Sequence, residues 1–77
     1  MNCQRLFTIN RRLRVARESA QAGQCTIARS WLRKAARDLK ATIDSRSTGD
    51  TVCARALADG AREMLVAGRK ELRRSCK

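Results

Sequence analysis

The chain has no proline, no histidine and no tyrosine, and Trp31 and Phe7 are its only aromatic residues. With no proline and four glycines in 77 residues, it has too few breakers for a turn-rich β fold. It also lacks paired carboxylates on an apolar wall and any glycine-rich phosphate loop. No acid, base or nucleophile is therefore poised for chemistry, and we expect no catalytic residues and no enzyme. The absence of histidine and of any Cys-x-x-Cys pair argues against a metal site, and no cofactor motif is present. No run approaches the ~18 consecutive apolar residues of a membrane span. The start, Met1-Asn2-Cys3-Gln4-Arg5, lacks an apolar stretch of signal-peptide length, so a soluble cytoplasmic protein is expected.

Acidic residues are scarce as well. Eighteen Lys and Arg against seven Asp and Glu leave a formal charge of +11, which repels itself unless something anionic is nearby. Arg dominates Lys, which suits bidentate contacts to phosphate or carboxylate, although Arg with Ala enrichment is also what a GC-rich genome produces. What remains is Ala-rich and 43% hydrophobic, too apolar for disorder. A single helical domain over residues 1–77 is the expectation, burying only about 60% of its unfolded surface.

Two breaks divide the chain, at Gly23-Gln24 and at Ser45-Arg46-Ser47-Thr48-Gly49-Asp50. The segments around them carry a helical period, predicting helices over about 4–22, 26–45 and 52–74 in a small, all-α, antiparallel three-helix bundle. The first gathers Leu6, Ile9, Leu13, Ala16 and Ala20 on one arc. The second gathers Ala28, Trp31, Leu32, Ala35, Ala36, Leu39 and Ile43, with Thr26 as N-cap and Gly23 closing the helix before it. The third groups Cys53, Leu57, Ala61, Met64, Leu65, Gly68 and Leu72, with Asp50 or Thr51 as cap. Many of these are Ala or Gly and bury little area, so the domain needs help from a partner, an oligomer or crosslinks. Phe7 and Val15 fall off the first stripe and Ile27 lies beside Trp31, a modest apolar surplus for a partner or a homodimer contact.

The basic residues are patterned. Arg29, Arg33 and Arg37 recur every four residues, with Lys34 and Lys40 alongside, and Arg55, Arg62 and Arg69 recur every seven, followed by Arg73. Local pairing could absorb some charge at Arg14–Glu18, Lys34–Asp38, Lys40–Asp44 and Arg55–Asp59, each worth a few tenths of a kcal/mol at best. Almost no Asn or Gln accompanies the stripes, which favours phosphate contacts over base reading. A helix-turn-helix register around Ser19 and Gly23 fails because Arg29 stands where a residue should pack inward. The spacing Val15-Ala16, Gly23, Ala28, Leu32, Ala35 is similar to one tetratricopeptide hairpin, but without its aromatics or a second copy it reads as generic hairpin packing.

Each of the four cysteines falls near a helix end. An up-down-up bundle puts Cys3 with Cys53 at one pole and Cys25 with Cys76 at the other, so two disulfides could close. In a cytoplasmic chain the reduced state is nonetheless the expectation, with the four thiols serving as small buried hydrophobes. Two functions follow from these features. The first is a nucleic-acid binder contacting phosphates through its Arg-rich faces. The second is a small regulator or inhibitor, of the phage or mobile-element accessory type, docking on an acidic protein surface with Phe7 or Trp31 as anchor.

Overall fold

A computed structural model describes residues 3–44 and 52–76. It contains α1 (Cys3–Gln21), α2 (Cys25–Asp44) and α3 (Val52–Ser75), with no strand among the described residues. The expected three-helix bundle is the architecture, with helix ends within a residue of those read from the periodicity. The second break and the Asp50 or Thr51 cap lie outside the described residues.

The turn between α1 and α2 is built by Gly23, whose φ of 80° is a left-handed conformation that costs glycine nothing. Gly23 donates its N–H to the Ala20 carbonyl and Gln24 to the Ser19 carbonyl, the paired bonds that close a helix on a left-handed glycine. The expected N-cap at Thr26 is corrected. Because the Gln24 carbonyl already accepts the Ala28 N–H, the cap position is Gln24 and Thr26 lies within the first turn of α2.

The α1 stripe is buried as expected, at Leu6, Ile9, Leu13, Ala16 and Ala20. On α2, Ala28, Leu32, Ala35 and Leu39 are buried, while Trp31, Ala36 and Ile43 are half-buried at the margin. The face of α3 turns out differently. Ala54, Ala58, Ala61 and Gly68 occupy its buried line, whereas Leu57, Met64, Leu65 and Leu72 flank the core half-buried, and the Cys53 position is exposed. Small side chains on this line let α3 approach its neighbours closely, as at Gly68 against Leu32, and the bulkier residues stand at the seams. Thr42 is buried with its hydroxyl donating to the Asp38 carbonyl. Glu71 is buried too, accepting from the Ser75 hydroxyl and lying 3.4 Å from Arg74.

Helix α1 packs more extensively on each neighbour than α2 and α3 pack on one another. The result is a rod of 41 × 17 × 15 Å. Both of its ends are stapled. Disulfides join Cys3 to Cys53, with Cα atoms 6.1 Å apart, and Cys25 to Cys76, with Cα atoms 5.9 Å apart. The expectation of four reduced thiols is thus corrected, because the up-down-up topology brings each pair within bonding range at its own pole. One staple ties the start of α3 to α1 and the other ties its end to α2.

Candidate phosphate-binding face

Helix α2 carries its basic stripe on the flank turned toward α3, and α3 carries its own on the flank turned toward α2. Arg29 and Arg33 of α2 and Arg69 of α3, together with Leu32 and Leu72, line one groove of about 240 Å³ along this seam. Steps of three and four residues keep Arg37 and Lys40 on the same side of α2, and steps of seven and four keep Arg62 and Arg73 on the same side of α3. The two stripes, Arg29 to Lys40 and Arg62 to Arg73, each run for about 16 Å at 1.5 Å per residue. All of these residues are exposed. Arg55 continues the α3 flank two turns toward the opposite pole. Lys34 lies about 100° beyond Arg33 around α2 and falls off this face.

The acidic residues stay away from the middle of this face. Asp38 binds Arg12 of α1 at 2.7 Å rather than Lys34, because the Asp38 flank of α2 meets α1. Asp59 lies 3.5 Å from Arg62, and Glu71 serves Arg74 on the other side of α3. Among the described residues no ion pair closes between Arg14 and Glu18 or between Lys40 and Asp44. The same is true of Arg29, Arg33, Arg37, Arg69 and Arg73, none of which has a carboxylate partner there. Positive charges held close together without counter-charges raise the local potential, and an anionic ligand lowers it.

The three apolar contact candidates do not form one patch. Phe7 is 66% exposed near the start of α1, and Ile27 is 48% exposed near the start of α2, at the opposite end of the rod. Trp31 is half-buried and packed on the core, which accounts for it as a structural residue. Val15 is exposed, as its place off the stripe implies. Val66, 51% exposed on α3, is an apolar surface residue that the periodicity did not single out. Among the described residues no group of His, Cys, Asp and Glu is placed to hold a metal ion, and no helix is long and apolar enough to cross a membrane. No protein-family model, curated protein or solved structure matches this chain.

Proposed function

We propose that this chain is a non-enzymatic nucleic-acid binder that lays the α2/α3 seam along a phosphate backbone. The observation that carries the reading is the convergence of Arg29, Arg33 and Arg69, from two helices and without carboxylate partners, on one groove. Two parallel rows of cations about 16 Å long face about ten phosphate charges along the same length of duplex. Guanidinium groups bind phosphate oxygens with charge-assisted, often bidentate hydrogen bonds. The face is poor in the amide side chains that read adenine, and its two leucines are recessed, so binding is expected to be sequence-tolerant.

Titration against a random-sequence duplex and a matched RNA between about 50 and 200 mM salt tests the proposal, with log affinity falling by ~0.9 per phosphate neutralised on DNA. Replacing Arg29, Arg33 and Arg69 by Gln should flatten the slope by up to ~2.7. Absence of binding at the lowest salt, or a slope unchanged by the triple replacement, would exclude this face as a phosphate site and favour an acidic protein surface as its ligand.

On location, the two disulfides weigh against the cytoplasm, since such bonds persist in oxidising compartments. We propose the cytoplasm only for a bundle that holds its fold when reduced. Trapping the thiols with alkylating reagent in intact cells would decide it, since protected cysteines require an oxidising location.

A further inference from the structure

The opposite flank of α3, where it meets α1, is built differently. Phe7, Arg11 and Arg14 of α1 and Leu57, Gly60 and Met64 of α3 line a groove of about 410 Å³. Farther along the same seam, Arg17 of α1 and Ala67, Lys70 and Arg74 of α3 line a second groove of about 220 Å³. The seam thus runs from an apolar pit flanked by two arginines to a cationic end. Of the acids near it, Glu71 is buried and engaged with Ser75 and Arg74, while Glu63, which borders Ala67 and Lys70, and Glu18, one turn beyond Arg14, are exposed. Among the described residues Arg11, Arg14, Arg17 and Lys70 close no ion pair.

The pit is a fixed surface rather than a gap between loose helices. The Asn10 side-chain amide donates to the Leu6 carbonyl at 3.1 Å and to the Leu57 carbonyl at 3.2 Å, pinning α1 to α3 beneath it. No Cβ-range neighbour lies within 4 Å of where a side chain on Gly60 would begin, so the wall is open there. The only phenylalanine of the chain stands 66% exposed at this edge while alanines fill much of the core. A large apolar side chain contributes most when it is buried, so its place outside a thin core has no explanation within the bundle.

We propose that the α1/α3 seam docks an acidic amphipathic helix of a partner protein. Apolar residues of that helix would enter the pit against Phe7, Leu57 and Met64, and its carboxylates would meet Arg11, Arg14, Arg17 and Lys70. Charge complementarity selects this occupant. A phosphate backbone has no apolar stripe to bury on Phe7, and a second copy of this chain would bring more arginines to a seam already rich in them. From Ala56 to Arg74 the seam offers about 27 Å, the length of a helix of about 18 residues. Recognition of a helix by a groove through anchors at three- and four-residue spacing is a recurrent binding mode.

The test uses the folded, disulfide-bonded protein. A displayed library of 18-residue helices with Leu, Phe or Trp on one stripe and Glu or Asp elsewhere is selected for binding at ~150 mM salt, beside a library of the same composition with the stripe scrambled. Selected helices should lose at least tenfold in affinity for Phe7→Asp and for Gly60→Leu, which fills the open wall. Ile27→Asp, at an exposed apolar position at the other end, and the Arg29, Arg33 and Arg69 replacements should leave their binding within about twofold. Circular dichroism melts confirm that each variant is folded. No enrichment over the scrambled library overturns the proposal, as does indifference of the selected helices to Phe7→Asp and Gly60→Leu. Phe7-dependent flotation with phosphatidylglycerol vesicles, without helix binding, would reassign the seam to a membrane surface.

Discussion

The Cδ2 methyl of Leu32 lies 2.9 Å from where a Cβ on Gly68 would stand, so α2 and α3 meet at a point that only glycine leaves open. Arg33 follows Leu32 and Arg69 follows Gly68 in the chain. The close approach of the apolar pair therefore carries the basic pair into one groove. Packing and candidate function share a hinge point here: whatever separates Leu32 from Gly68 also separates Arg33 from Arg69.

Substitutions at two glycines of α3 should accordingly diverge. Gly60→Ala meets open space and should gain about 0.5–1 kcal/mol from helix propensity, raising Tm by roughly 4 °C. Gly68→Ala gains the same propensity but must displace the buried Leu32 methyl, so it should show no rise, and Gly68→Val should cost about 1–3 kcal/mol through overpacking. Phosphate affinity should fall with Gly68→Val and be unchanged in Gly60→Ala. Equal rises in Tm for the two alanine variants would refute the close contact.

What the sequence made legible, and what it did not, divides along physical lines. The α1 arc is legible because its stripe is narrow and begins with three large residues, Leu6, Ile9 and Leu13, at steps of three and four. The α3 face is legible in part: Ala61 and Gly68 are buried and Leu57, Met64, Leu65 and Leu72 pack against the core, but hydrophobicity weights these above Ala54 and Ala58, which close packing selects by size. Both basic stripes were visible as periodicities. Their meeting across one seam was not, since it depends on how α2 and α3 are rotated about their axes. Asp38 was assigned to Lys34 for the same reason: local spacing is printed in the sequence, and the approach of Arg12 from another helix is not.

The Arg12–Asp38 pair is, among the described residues, the ion pair that joins two helices. Its side chains are 32% and 39% exposed, so solvent screens it and a coupling of about 0.2–1 kcal/mol is expected. A double-mutant cycle of Arg12→Gln and Asp38→Asn, followed by thermal melts, measures it, and the coupling should shrink as salt rises toward 1 M. Lys34→Gln should change stability less than Arg12→Gln. A cycle that instead couples Lys34 to Asp38 would reinstate the local pair.

The two staples should decide whether the bundle folds at all. They enclose overlapping stretches with sequence separations of 50 and 51, and in the chain-entropy model a loop of that size is worth about 4 kcal/mol, less for the second once the first is closed. That is comparable to the whole stability of a small domain, and the core of this one is largely alanine. Reduction should therefore lower Tm by tens of degrees or abolish the cooperative melt. The staples should also differ in function. Removing Cys25–Cys76 with a paired Ser replacement frees the end of α3 beside Arg69 and Arg73, so it should weaken phosphate binding severalfold more than removing Cys3–Cys53 at the far pole. A reduced protein that melts at the oxidised temperature and binds phosphate equally well would show the staples to be dispensable, and would make the fold compatible with a reducing cytosol.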